Sequence, residues 1–375
     1  MCILAIFENK FSYQQLINTM NFYKLIFLIP ITVVCFLSCS GTKKKSRQPV
    51  SQILLSTKHR KISCGDSITI KINTRLKNGV LKKSELYLDK QLLANKKDIS
   101  YSVSISTADL TMGTHTLKTV VTKEDGMIGT NFKTIEIISE VIPESLTYKV
   151  INTYPHEHDF FTQGLEIHNN AFYEGTGEYG KSGLFKLKFP SFKIEHQIAM
   201  DEDYFGEGIT IINDKVYQLT WKAQKAFVYN LSDFSLIQTF SYSNKEGWGL
   251  ANDQQQLYMS DGSSTIFVRD PETFKVIRTF GVADNKGPIS QLNELEFIDG
   301  YLWANIWTTD NIIKIDPQTG KVLAVANLNG LVPLMEEPGE KRDVLNGIAY
   351  NHSTKKLYVT GKLWPKLYEI ELIAK

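Results

Sequence analysis

Five short stretches of this sequence place an unusual polar side chain just before an apolar run. Gln163 precedes Gly164-Leu165, Glu207 precedes Gly208-Ile209, and Glu246 and Trp248 precede Gly249-Leu250. Asn293 and Glu294 precede Leu295, and Asn346 precedes Gly347-Ile348. Lys362, in "TGKLWP", adds a positive charge, and Trp221, Trp248, Trp307 and Trp364 occupy neighbouring places in the same phrases. A carboxylate set among tryptophans is partly desolvated, which raises its pKa towards neutrality, as a general acid or base requires. Glu207 stands between two glycines, so its backbone can approach a ligand closely. The plainer alternative is that these side chains cap strands and bind water.

Other chemistries are weaker. "PHEHDFF" holds four potential metal ligands, His156, Glu157, His158 and Asp159, but no second cluster with ligand spacing completes a site, so no metal is expected there. His59 and His115 are lone histidines, read as structural or exposed. The chain has no nucleophile elbow, Gly-rich phosphate loop or Cys-His pair. With 22% charged residues and a net charge of +2, composition points to no nucleic-acid or acidic-polymer partner. Lys43-Lys44-Lys45 reads as solvated linker.

The elements that position the polar residues form a repeat. "GITIINDKVYQLTWKAQKAFVYNLSDFSLIQTFSY" and "ELEFIDGYLWANIWTTDNIIKIDPQTGKVLAVANL" are two of five segments that read strand, turn, strand, polar tip, strand, turn, strand. Taking Leu165, Ile209, Leu250, Leu295 and Ile348 as equivalent, the spacings are 44, 41, 45 and 53, near the blade period of a propeller. The last segment stops after three strands, and "LTYKVINTYP" (Leu146 to Pro155) resembles the missing fourth. Pairing it beside "KLYEIEL" closes the ring and removes free edges. The reading is therefore all-β, with a five-bladed β-propeller over residues 143–375 and an insertion, "VPLMEEPGEKRDV", between blades four and five. The polar tips then ring the axis.

Upstream, "DSITIKINTRL", "SELYLDKQLLA", "ISYSVSIS", "GTHTLKTVVTKEDG" and "TNFKTIEIIS" alternate apolar and polar residues at strand length, with turn signals between them. They predict a small immunoglobulin-like β-sandwich over residues 50–142, with nothing catalytic in it. Residues 40–49 read as a tether. From Met20, a lysine, a short apolar stretch and small residues around Cys39 make a secretory signal layout over residues 1–39. The surroundings of Cys39 resemble a bacterial lipoprotein processing site, with Phe36 where leucine is commoner. Met20 is then the expected start, Cys39 the lipidated residue, and the cell envelope the location, facing the periplasm or exposed at the surface. A plain cleaved signal or a membrane anchor stays open. Cys64 is left without an intramolecular partner and is expected to pack as a small apolar residue.

The motifs "DFFTQGLE", "YFGEGIT", "VYQLTWK", "EGWGL", "LYMSDGS", "LNELE", "WANIW", "VLNGIAY" and "VTGKLWPKLYEI" follow one another from roughly Tyr148 to Leu372. In this order they resemble the plant and bacterial type of glutaminyl-peptide cyclotransferase, a five-bladed propeller. The resemblance implies that an amino-terminal glutamine of a peptide or protein becomes pyroglutamate with release of ammonia. It places the catalytic glutamate on Glu207, with Asn293 and Lys362 as catalytic partners. It places the substrate pocket on Phe161, Gln163, Phe205, Trp221, Trp248 and Trp307. It implies no cofactor for catalysis, allows a structural calcium, and suggests a monomer touching the membrane only through a lipid.

The chemistry implied is cyclisation: the α-amine loses a proton, attacks its own side-chain amide carbon and expels ammonia. Orientation supplies much of the rate. Glu207 would carry the proton, while Asn293, Lys362 and Gln163 would hold the amide oxygen as charge develops. Two other classes remain at this point. One is a non-catalytic surface propeller binding protein or glycan. The other is a calcium-dependent propeller lactonase or hydrolase, which Lys362 would oppose.

Overall fold

The computed structural model describes residues 45–332 and 342–375. The signal segment with Cys39, and most of the insertion before Asp343, lie outside the described residues. Among the described residues the chain forms strands and no helix. Ser46–Lys375 pack as one compact unit.

Five blades follow the repeat. Blade one holds Thr162–His168, Ala171–Thr176, Gly183–Lys188 and Lys193–Ala199, and blade two Gly206–Ile212, Lys215–Thr220, Lys225–Asn230 and Leu236–Ser241. Blade three holds Leu250–Asn252, Leu257–Met259, Thr265–Arg269 and Val276–Gly281, and blade four Leu292–Ile298, Tyr301–Ile306, Asn311–Ile315 and Val322–Asn327. Blade five takes Leu345–Asn351, Lys356–Gly361 and Lys366–Ala374 from the end of the chain. Its fourth strand is Glu144–Pro155, antiparallel to Lys366–Ala374 from Pro155 opposite Lys366 to Leu146 opposite Ala374. This is the expected closure. The innermost strand of each blade neighbours the next, and the first neighbours the last.

Burial falls from axis to rim. The innermost strand of blade two is buried along its whole length, whereas the outermost strand of blade one is almost wholly exposed. The blades are also stitched across the axis by glutamates. Glu294 accepts the backbone N–H of Leu165 (3.3 Å) and of Ile348 (2.8 Å), linking blade four to blades one and five. Glu296 accepts from Tyr350 N (3.1 Å), and Glu166 from Ile211 N (2.9 Å). Burial pushes all three carboxyls up, Glu166 to about 8. A buried backbone N–H without an acceptor costs about as much as a lost hydrogen bond, so these contacts are structural.

Residues 50–138 form two sheets around a shared apolar core. One contains Val50–Leu55, Ser67–Arg75 and Ser100–Ser106. The other contains Lys61–Ser63, Ile128–Ile138, Gly113–Lys123, Leu81–Leu88 and Gln91–Lys96. The stretch "SELYLDKQLLA", read above at strand length, is a hairpin that turns at Asp89, whose φ of 51° is left-handed. Within the stretch read as tether, Lys123 Nζ donates to Ser46 Oγ (2.6 Å) and Arg47 O (3.2 Å). Cys64 is buried in this core, as expected. The sandwich is tied to blades three and four. Met112 N donates to Thr319 O (3.0 Å), Gly281 N to Met112 O (2.9 Å), and Lys321 Nζ to Glu140 (2.6 Å).

Candidate active site

In blades one, two, four and five the pairing of the innermost strand slips at its start: between Thr162 and Gly164, Gly206 and Ile209, Leu292 and Leu295, and Leu345 and Ile348. A bulge re-aims the side chain it carries. Gln163, Glu207, Asn293, Glu294 and Asn346 all sit in these slips. The repeat therefore positions them through one local irregularity used four times.

The bulges open onto a cavity of about 290 Å³ lined by Phe161, Gln163, Phe205, Glu207, Trp221, Trp248, Asn293, Trp307, Asp343 and Lys362. All nine residues named above as catalytic or substrate-binding line it. A larger cavity, about 550 Å³, lies at the opposite ends of the innermost strands. It is lined by turn residues and polar groups such as Glu166, Asn252 and Glu296, and lacks the tryptophan walls.

Glu207 is 4% exposed. Burial pushes its carboxyl well above the ordinary carboxylate range; Lys362 opposes that and Glu246 adds to it. Lys362 is buried too, and burial lowers its pKa, while Glu207 and then Asp343 pull it back up. Its ammonium lies 4.6 Å from the centre of the Phe161 ring. Gln163 Nε2 donates to Glu207 Oε1 (3.2 Å), and Gln163 Oε1 accepts from Asn346 Nδ2 (3.3 Å). The amide of Gln163 is thus oriented at both ends, with a donor directed at the carboxylate. Asn293 Oδ1 is buried without a partner. A buried acceptor in that state favours a ligand that brings an N–H.

The supports come from several blades. Ser182 Oγ accepts from Gly206 N (2.9 Å), and Trp248 O accepts from Gly208 N (2.7 Å). Ser260 Oγ accepts from Gly249 N and donates to Asn293 O, both at 2.7 Å. The hairpin carrying Lys362 is held from behind. His156 Nδ1 meets Trp364 O (2.6 Å), and its Nε2 lies 3.0 Å from Glu174, both side chains being fully buried. A carbonyl and a carboxylate both accept, so both ring nitrogens donate and the imidazole is a cation. Thr162 Oγ1 donates to the same carboxylate (2.7 Å).

Two expectations change, for the glycines beside Glu207 and for Trp364. The glycines beside Glu207 face protein, not ligand: a Cβ on Gly208 would lie 2.6 Å from Trp248 O, and one on Gly206 2.6 Å from Thr176 O. Blade-to-blade packing is what requires them. Trp364 does not wall the pocket; it is fully buried behind Lys362 with its indole N–H on Asp343 O (2.8 Å). Glu294 faces the axis. The run His156 to Asp159 divides, His156 turning inward while Glu157, His158 and Asp159 stay exposed with ligand atoms within 4.8 Å of one another. An imidazole and two exposed carboxylates do not fit the oxygen set that calcium takes. Asp343 in the lining and the buried support by Glu174 were not found from the sequence. Nothing in the local patterns marks either, since both depend on blades far apart in the chain.

A family model described as glutamine cyclotransferase matches residues 127–372. Glutaminyl-peptide cyclotransferase of Arabidopsis thaliana is 42% identical over 226 residues, which covers 60% of this chain and 71% of that protein. The crystal structure of Myxococcus xanthus glutaminyl cyclase aligns with a TM-score of 0.58 at 32% identity, covering 62% of this chain and 99% of that one. These matches span the propeller whose bulges build the cavity. The chain belongs to the glutamine cyclotransferase family.

Proposed function

We propose that this protein converts the amino-terminal glutamine of peptides and proteins into pyroglutamate with release of ammonia, using Glu207 as general acid and base. The observation that carries the proposal is a buried carboxylate of raised pKa, oriented by Gln163 inside an aromatic cavity large enough for one side chain. The α-ammonium first leaves one proton to solvent; the free amine then forms a C–N bond with the side-chain amide carbon and gives a second proton to Glu207, as negative charge gathers on the amide oxygen. Glu207 then returns the proton to the departing nitrogen, the old C–N bond breaks, and ammonia leaves. Protons balance, because Glu207 ends as it began.

The geometry redistributes the roles expected from the resemblance. Lys362 supplies the charge that faces the amide oxygen. Asn293, with an unpaired Oδ1, takes an N–H of the substrate. Gln163 serves Glu207 first, because its donor is directed there. Half-buried Phe161, Phe205, Trp221, Trp248 and Trp307 exclude water and hold the glutamine bent. Because the buried ammonium of Lys362 lines the cavity and opposes a bound cation, a calcium-dependent hydrolase is disfavoured, and the cyclisation is proposed to need no metal. Incubating the soluble chain from about Ser40 with a glutamine-initiated peptide and a chelator, and measuring ammonia and peptide mass, tests this. Matching ammonia release and mass loss support it; no release from several peptides refutes it.

We also propose, on the sequence alone, that Cys39 carries a lipid that tethers the chain to a bacterial cell envelope, with the sandwich over residues 50–142 as an immunoglobulin-like spacer. A clickable fatty acid supplied to expressing cells should label the wild-type chain and not Cys39→Ser; equal labelling of the two would overturn this.

A further inference from the structure

The aromatic wall of the cavity is built in two groups. In the first, Phe161 meets Phe205 edge-on at 6.0 Å between ring centres, and Phe205 meets Trp221 at 5.4 Å. In the second, Trp248 meets Trp307 edge-on at 5.5 Å. Among the described residues no ring pair joins Trp221 to Trp248. Glu246 spans that gap. Its Oε2 accepts the indole N–H of Trp221 and the indole N–H of Trp248, each at 2.9 Å. The two tryptophans come from different blades, so one carboxylate oxygen joins both halves of the wall.

The backbone that follows Glu246 is fixed. Gly247 N donates to Trp221 O (2.9 Å) and Trp248 N to Ser260 O (3.1 Å). Without that shared acceptor each indole N–H is left unpaired, and a tryptophan wall in that state would be able to turn away from the cavity.

We infer that Glu246 is a positioning residue, a tether that holds Trp221 and Trp248 in the orientation that closes the cavity around the substrate's glutamine. Its role is substrate capture through the walls, not proton transfer. The kinetic consequence rests on the cyclase reading; the structural consequence does not.

Two variants separate the tether from the charge. Glu246→Ala removes the acceptor. Glu246→Gln keeps an oxygen able to accept both N–H groups and removes only the charge. Losing a wall that grips ground state and transition state alike raises KM with little change in kcat. Glu246→Ala should raise KM for a glutamine-initiated peptide roughly 10- to 100-fold, the range of the two hydrogen bonds lost, with kcat within about threefold. Glu246→Gln should stay within about threefold of wild type in both.

Acrylamide quenching of tryptophan fluorescence reads the walls without catalysis. Of the five tryptophans, Trp303 and Trp364 are 7% and 0% exposed, so quenching reports mainly Trp221, Trp248 and Trp307. It should increase in Glu246→Ala and return to the wild-type level in Glu246→Gln. Wild-type KM and quenching in Glu246→Ala would overturn the inference, and so would Glu246→Gln as defective as Glu246→Ala. If Glu246→Ala fails to melt cooperatively, Glu246→Gln decides: wild-type KM and quenching support the tether, and a raised KM overturns it. A wild-type chain inactive on every peptide refutes the cyclase reading, while the quenching comparison still judges the tether.

Discussion

Replacing Glu207 by glutamine isolates what the carboxylate does. The side chains have nearly the same shape, and the new Oε1 can still accept from Gln163, so the pocket keeps its geometry. What is lost is the capacity to take and return a proton. A positioned general acid or base contributes about 10²- to 10⁴-fold, so the barrier should rise by about 3–5 kcal/mol. Stability should move the other way or not at all. Burial raises the folded pKa of Glu207 above its unfolded value. Its contribution is then fully present below the ordinary glutamate value of about 4.3 and is lost as pH rises through the folded pKa, because a buried carboxylate ionises. Glutamine has no such loss. Ammonia release from a glutamine-initiated peptide should therefore fall by two to four orders of magnitude in Glu207→Gln. Its Tm should match wild type at pH 5 and be no lower at pH 8. Activity within tenfold of wild type would refute the proton-transfer role. A Tm well below wild type at pH 5 would refute the argument that Glu207 is neutral there.

The rate profile and the buried support make two further expectations. In kcat/KM, the acid limb should lie above the ordinary carboxylate range, because Glu207 is raised, and the alkaline limb below the ordinary lysine range, because Lys362 is lowered; limbs at unperturbed positions would contradict both directions. For His156, Glu174 raises the folded pKa against the opposing effect of burial, so the pair's stabilisation is present below about pH 6.5 and lost as pH rises through the folded value. His156→Gln, which leaves Glu174 buried without its cation, should cost about 3–5 kcal/mol in urea melts at pH 6 and less at alkaline pH. A pH-independent loss would show that the imidazole is neutral.

Much of the fold was legible because propeller blades are local. Within each blade a strand pairs with its neighbours in sequence across short turns, and apolar alternation with an Asp-Pro or Asn-Gly-like turn records that pairing. The return of Leu146 to Pro155 to the last blade is long-range, yet it was visible because the segment resembles the outer strands it replaces. The hairpin at Asp89 was less clear, since "SELYLDKQLLA" holds its alternation on both sides of the turn. The pocket residues were found as types at equivalent positions. Trp364 occupied a related position and failed, since its ring turned into the core behind Lys362.

By itself the sequence determined the number of blades, the closure of the ring, and which side chains stand at the starts of the innermost strands. The tertiary structure alone decided where those side chains point. A slip of pairing at a bulge re-aims a residue, and the partner that holds the new direction comes from another blade: Gln163 for Glu207, Glu246 for two tryptophans, Glu174 for His156. Local alternation encodes which face of a strand a residue occupies. It carries no record of a neighbour contributed by a distant turn of the ring, and that neighbour sets the orientation, burial and charge on which the chemistry depends.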